Sequence, residues 1–374
     1  MRKTTFDWLT LLVCAGLSAS AVTGQEPERR VPAEPIALDA TRDGVQFVSS
    51  DRNGNVFLFR GGEKPAVYPI SKAGEIGKPE HLLATNEALG FVLDAVLSPA
   101  GDQWLVLAQG TVRLFVNGKE KPLPPLSWLP WTVGFLRGTP VVGVMPRLLP
   151  SAVLHLQDLG TVPWLLTLDN DRWSPLVEHS GFSAEAAWKD RSKMNEWVAK
   201  YASAITPARD GKLWVASQYS YRVQRLSPSG KNLLEFDAGK GKEQAPRKAT
   251  MSAQAAATVR QAEAQGGKAQ FQGFTDTAVI ADLVEGPDRA IYLLVHTAGE
   301  DSLAIDRYDP SQDVLERVPL SLPGSGRLTL AAGKGGLHVA PFRATGGLWR
   351  ISWTTLESAP WKAVEGFKVH GGAD

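Results

Sequence analysis

The chain has 374 residues, with 40 Lys+Arg against 39 Asp+Glu, 36 Gly, 25 Pro and one Cys. So even a charge balance offers no basic field for nucleic acid, and a single cysteine excludes a disulfide framework. The length allows two ordinary domains or one large repeat array, and the Gly and Pro content suits a chain of many turns.

Residues 1–24 predict a cleaved secretory signal, with Arg2 and Lys3 ahead of an apolar run, Trp8–Leu17, and a small-residue stretch, Ala19-Ser20-Ala21. The run is too short to span a bilayer. Cys14 lies inside it behind Val13, which is not the small residue that a lipoprotein signal wants. The mature chain is therefore expected in the periplasm or outside the cell, without cysteine, and held by its core alone. Residues 25–35 read as a polar lead, and 36–374 as a single domain.

The clearest unit of that domain is Ala202–Phe236. It reads as four short strands, Ala202–Thr206, Lys212–Ser217, Tyr221–Ser227 and Asn232–Phe236, broken by turn chemistry at Asp210-Gly211 and Pro228-Ser229-Gly230. Four antiparallel strands in about 35 residues make one blade of a β-propeller. The rest of the chain repeats the unit. The first copy starts at Ile36–Val48, the second at Val92–Val106 and the third at Trp131–Val142. The unit above is the fourth; Ile280–Leu294 opens the fifth and Leu328–Val339 the sixth. Each copy except the third carries a large residue in its second apolar strand: Phe47, Trp104, Trp214, Tyr292 and His338. The strands are apolar on both faces because each blade packs between two neighbours. The fold class predicted is an all-β, six-bladed β-propeller. Either Ala33–Ala37 or Trp361–Val369 is expected to complete its last blade.

Two insertions interrupt the pattern. Residues 183–201 predict a helix, with Ser183 as cap and Met194, Trp197, Val198 and Tyr201 on one face, and 249–265 predicts a second, Ala-rich one. Both fall between the last strand of one blade and the first of the next, so they leave the propeller on the same face. That face is the expected working surface.

Residues with obvious chemistry are few. Gly181-Phe-Ser-Ala-Glu185 lacks the closing glycine of a nucleophile elbow, and Gly239-Lys-Gly-Lys242 is too incomplete for a phosphate loop. The six histidines show no metal-ligand spacing, and His338, in a repeat slot, reads as core. One constellation stands out. Alignment on the turns puts Ala37, Asp94, Trp131, Ala204, Asp282 and Leu328 at one position of the innermost strands. Asp94 and Asp282 then face each other across the ring, as a carboxylate pair able to hold a hard cation such as Ca²⁺ or to act as acid and base. Trp131 and nearby Trp128 offer a stacking surface for a ring-shaped ligand.

Asp210-Gly-Lys-Leu-Trp-Val-Ala216, Arg225-Leu-Ser-Pro-Ser-Gly-Lys231 and the fifth copy, with Ile305-Asp-Arg-Tyr-Asp-Pro310, resemble blades of NHL-type and gluconolactonase-like six-bladed propellers. The lactonase branch implies a divalent metal held by Glu, Asn and Asp, with a Glu-Gly-Pro in its first blade. Here Glu285-Gly286-Pro287 falls in the fifth copy, and no asparagine stands at the inner-strand positions. The resemblance therefore implies the architecture, and relatives of this kind that bind peptides or proteins fit better. The expected function is an exported, monomeric binding or scaffold module for a protein, peptide or small ligand, with no resident cofactor. Its rivals are a metal-dependent hydrolase or lyase using Asp94 and Asp282, and a carbohydrate-binding propeller using Trp128 and Trp131.

Overall fold

Side chains on both faces of these strands are apolar because every blade is a wall shared by two cores. Leu105 and Leu107 of one strand pack toward the following blade, while Trp104 and Val106 of the same strand pack toward the preceding one. The computed structural model describes residues 30–37, 46–62, 64–84, 89, 92–145, 161–180, 201–238, 279–297, 303–322, 328–341 and 347–371. The expected signal segment with Cys14, the predicted helix at 249–265, residues 239–242, and the predicted helix at 183–201 apart from Tyr201 lie outside them.

Six sheets follow in chain order, antiparallel throughout except where Val31–Pro32 pairs parallel with Leu320–Ser321 at the edge of blade 5. Their innermost strands are Gln46–Ser50, Val92–Leu97, Leu129–Leu136, Ser203–Pro207, Ile280–Glu285 and Leu328–Gly333. Each inner strand packs on the next, and the sixth packs on the first, so the ring closes. Six hydrophobic clusters fill the six junctions, one between each pair of adjacent blades. Tight approach helps at one of them. Gly230 (φ +81°) in the outer turn of blade 4 sits where a Cβ would run into the Leu176 carbonyl of blade 3. Among the described residues, no helix is long and apolar enough to cross a membrane.

Three sequence assignments need correction. Blade 1 begins at Gln46–Ser50, followed by Val56–Arg60 and Ala66–Ile70. Ile36 and Ala37 are thus not on an inner strand. Instead Glu34–Ile36 pairs with Leu348–Ser352 as the outermost strand of blade 6, closing the ring through a strand from the other end of the chain. The C-terminal segment goes elsewhere: Lys362–Ala363 joins the edge of blade 5, and Phe367–Gly371 becomes a fifth strand of blade 4. Lastly, Trp104 does not share the slot of Trp214. Trp214 packs toward the following blade and Trp104 toward the preceding one, the face reversal that a slip of one residue produces in a strand of period two.

Blades 5 and 6 share a cross-sheet row that the repeats only hinted at. A large residue on the second strand faces an arginine on the third, which faces an acid on the fourth: Tyr292–Arg307–Glu316 and His338–Arg350–Glu34. Blade 4 varies it, with the Arg225 guanidinium 5.3 Å from the Trp214 ring and its acid, Asp210, supplied by a turn 2.5 Å away. The C-terminal strap covers part of this layer, with Phe367 5.8 Å from Phe236 and 5.9 Å from Tyr308, and Trp361 4.8 Å from the Arg307 guanidinium. Deleting everything after Ser358 uncovers those rings and the edge of Asn232–Ala238. The expected loss is about 2–3 kcal/mol in urea unfolding, the scale of one buried aromatic. The bare edges should also make the chain self-associate in light scattering. A truncated chain that stays monomeric and equally stable would show the strap to be ornamental.

Candidate functional site

The inner strands meet around the axis, and their short polar side chains stitch one blade to the next. Asp94 Oδ2 accepts hydrogen bonds from Thr132 Oγ1 (2.8 Å) and the Val133 N–H (3.1 Å) of blade 3, while its Oδ1 accepts from the Ala95 N–H (3.0 Å). Asp282 does the same three blades away, with Oδ2 accepting from the Leu330 N–H (2.7 Å) and Oδ1 from the Leu283 N–H (2.8 Å). Thr329 Oγ1 accepts from the Val48 N–H (3.2 Å), and Ser49 Oγ from the Leu97 N–H (3.0 Å). Apart from that of the Thr132 hydroxyl, each bond satisfies an amide that an inner strand would otherwise leave to solvent, because that edge of the sheet has no further strand.

Beneath and between these groups lies a cavity of about 640 Å³ on the propeller axis. Asp94 and Asp282 line it, as the sequence alignment suggested, and so do Thr132, Thr329 and Gln218. Trp131 instead packs against the core between blades 3 and 4, and Trp128 against that core and the one between blades 2 and 3. The reason is a one-residue bulge. Blades 2, 3 and 5 each skip a residue near the start of the inner strand, at Val92/Asp94, Pro130/Thr132 and Ile280/Asp282. Thr132, not Trp131, is therefore the equivalent of the two aspartates. Trp131 serves as a link between blades. Its Nε1 donates to Gln218 Oε1 (2.8 Å), and Gln218 Nε2 donates to the Ala281 carbonyl (3.3 Å), joining blades 3, 4 and 5.

The other end of the cavity is a rim of turns joining first to second strands, and sequence reasoning missed its charged residues. Arg52, Arg137 and Arg209 come from blades 1, 3 and 4, and Asp51, Asp210 and Glu285 stand among them. The acids are engaged. Asp51 accepts from the Asn55 N–H (2.8 Å) and side-chain amide (2.7 Å). Burial would raise the Asp210 carboxyl, but the Lys212 ammonium at 2.9 Å and the Arg225 guanidinium outweigh it and hold the group below its ordinary value. Glu285, its side chain 7% exposed, is pushed up by burial, against the Arg209 N–H it accepts (2.8 Å) and the Arg289 guanidinium at 3.8 Å. The Arg137 Nε donates to the Gly211 carbonyl (3.3 Å), which fixes that guanidinium at the rim. The only signal in the sequence was position: each arginine sits at or beside the turn that ends an inner strand.

Among the described residues, no three or more His, Cys, Asp or Glu side chains gather in a metal-binding arrangement. The chemistry on offer is a walled, polar channel with carboxylates at one level and guanidinium groups interleaved with carboxylates at the other.

No family model matches the sequence, and neither does any curated protein. Solved structures similar to the chain include a virginiamycin B lyase from Staphylococcus aureus, 12% identical over 82% of this chain and 79% of that one, with a TM-score of 0.40. A streptogramin B lyase is 14% identical over 91% and 97%, at 0.41. A structural-genomics protein from Bacteroides thetaiotaomicron is 10% identical over 90% and 76%, at 0.45. These likenesses are remote, and the six-bladed propeller of this chain stands on its own strand order.

Proposed function

We propose that this chain is an exported binding propeller that takes its ligand in the central channel. The observation that carries the reading is the cavity of about 640 Å³ on the axis, within the size range of small-molecule sites and lined by a few convergent polar groups. Asp94 and Asp282 commit oxygens to backbone amides of the next blade, which suits fixed walls of a binding site better than groups that must exchange protons or swing onto a metal. Trp128 and Trp131 are core and linker, so stacking against a sugar ring loses its main support. The expected working face is the one at which the strands ending at Ser180 and Ala238 finish, and it adjoins the end of the channel at which the inner strands begin.

Val96 gives a direct test. It lines the cavity, half-exposed, two residues beyond Asp94 on the same strand. Val96→Trp should narrow the channel; because Val96 also packs against the core between blades 2 and 3, the variant's own melting temperature without ligand is its baseline. In scanning calorimetry against sugars, amino acids, short peptides and Ca²⁺, a channel ligand raises the melting temperature of the native chain and not of Val96→Trp. Ligands that stabilise both proteins alike would place the site elsewhere and end this reading.

A further inference from the structure

We infer that the chain carries a second ligand site, in the cleft between the outer parts of blades 6 and 1, for an elongated apolar molecule ending in one carboxylate. The cleft holds about 600 Å³, within the size range of small-molecule sites. It shares no lining residue with the channel, and the inference does not depend on the channel reading. One wall is the N-terminal strand, residues 34–37, and the other runs from Arg60 and Tyr68 to residues 73–77 and Pro79 of blade 1.

Two arginines and two glutamates line the cleft, so it has no net field to draw an anion. Their pairing is uneven. Arg350 is committed: it holds Glu34 through Nε (3.1 Å) and Nη2, and the Lys72 carbonyl through Nη1 (2.7 Å). Arg60 has no ion pair among the described residues, and its buried Nε–H has no acceptor. Its guanidinium lies 5.7 Å from the Tyr68 ring, against one face. Gln46 stands directly across from Arg60 in the pairing of the first two strands, so both side chains leave the sheet on the same side. It is fully buried, and neither atom of its amide has a partner. Opposed residues are about 4.5–5.5 Å apart at Cβ, so a single carboxylate can accept from the guanidinium and the amide together. Guanidinium is also the cation best shaped to grip a carboxylate.

The rest of the cleft sets the body of the ligand. Ile36 and Tyr68, from the core between the two blades, lie beneath it, and Ile76, Pro35 and Pro79 border it. Arg60 is level with Ala66 at one end of the third strand, and Ile76 is level with Ile70 at the other. Those four steps of strand put the carboxylate end roughly 14 Å from the far end. Glu75 is exposed on the turn there, so a second carboxylate would meet a like charge. An ammonium in place of the first would meet Arg60. A medium-chain monocarboxylate suits both ends.

Titration calorimetry of the mature chain with octanoate, octan-1-ol, octylamine and octanedioate tests the idea. Octanoate should bind, and each of the others at least about tenfold more weakly, the scale of a hydrogen-bonded charge. Arg60→Gln should lose that factor for octanoate and nothing for octan-1-ol, which separates a direct contact from a damaged wall. Pro79→Trp, at an exposed position bordering the cleft, should weaken both ligands and decides the matter if Arg60→Gln does not fold. Val96→Trp, in the channel, should leave octanoate affinity at its native value. Octanoate that fails to bind, or binds no better than octan-1-ol or octanedioate, overturns the inference. So does an affinity indifferent to both Arg60→Gln and Pro79→Trp. Octanoate binding lost in Val96→Trp alone would place this ligand in the channel, ending the second site and supporting the first.

Discussion

Replacing Asp306 by alanine is expected to cost about 3–5 kcal/mol, the usual penalty for breaking a buried charge pair by removing one partner. Asp306 is fully buried on the third strand of blade 5. Arg317, on the adjacent strand, grips it with two bonds, Nε to Oδ1 at 2.7 Å and Nη2 to Oδ2 at 2.9 Å. From blade 4 the Tyr221 hydroxyl donates to the same carboxylate, and burial followed by the Asp306 charge pushes that phenol well above its ordinary value. The triad therefore joins two blades through a group that water does not reach. Alanine leaves a guanidinium without its carboxylate and a buried hydroxyl without its acceptor. Urea unfolding should show the loss as a fall in midpoint at unchanged slope. The same logic predicts that Asp306→Leu/Arg317→Met/Tyr221→Phe recovers much of it, since both charges and the hydroxyl are removed together. A single Asp306→Ala change of less than about 1 kcal/mol would mean that solvent or a neighbouring segment supplies the missing partner.

The triad also shows what a sequence of this kind discloses and what it withholds. Turn chemistry such as Asp210-Gly211 is local, so the four strands of blade 4 were legible almost to the residue, from Ser203–Pro207 to Asn232–Ala238. Ring closure was legible only as a choice between Ala33–Ala37 and Trp361–Val369, of which the first is the one used, because Glu34–Ile36 is a short edge strand with two of three residues exposed, and its partner, Arg350, is more than 300 positions away. The Ile36-Ala-Leu run resembles an inner strand, and that displaced the first copy by one strand. Bulges were invisible too: nothing in Pro130-Trp131-Thr132 announces that the middle residue is skipped in pairing. Asp94 and Asp282 could be found because both follow the same bulge, so their spacing to the turn was preserved. The rim arginines could not: Arg52 and Arg209 stand second in five-residue turns of one form, but the displaced first copy hid that match, and Arg137 lies in a two-residue turn.

These errors bear on the site in one direction. Local reading finds residues on regular strands, which are the residues that build the wall. It misses residues in the turns, which close the ends and set which charges a ligand meets. In this propeller the wall supplies carboxylates fixed by amides, and the turns supply guanidinium groups.

Acid should weaken the fold through His338, and the closing blade explains why. His338 is 1% exposed, and burial, with the Arg350 charge beside it, lowers its pKa from 6.5 to about 4. A histidine of the unfolded chain takes up its proton near 6.5, while the folded one resists until about 4. Between these values the unfolded state binds more protons, so stability falls as pH drops through that window and is fully retained above it. A shift of this size corresponds to about 3 kcal/mol. The location makes the loss more than a core defect. His338 lies directly across from Arg350, and Arg350 is the residue that holds Glu34 and donates to the Lys72 carbonyl at 2.7 Å. An imidazolium there repels the guanidinium that fastens the N-terminal strand to blade 6. Trp214 and Tyr292 occupy the corresponding slot in blades 4 and 5, so His338→Phe keeps the shape and removes the proton. Urea unfolding of the native chain should lose about 3 kcal/mol between about pH 7 and pH 4, and His338→Phe should lose correspondingly less. Hydrogen exchange in the same range should open blade 6 and its N-terminal strand ahead of blades 2 and 3. Parallel pH profiles for the two proteins would assign the acid sensitivity to carboxylates instead and leave the ring closure indifferent to His338.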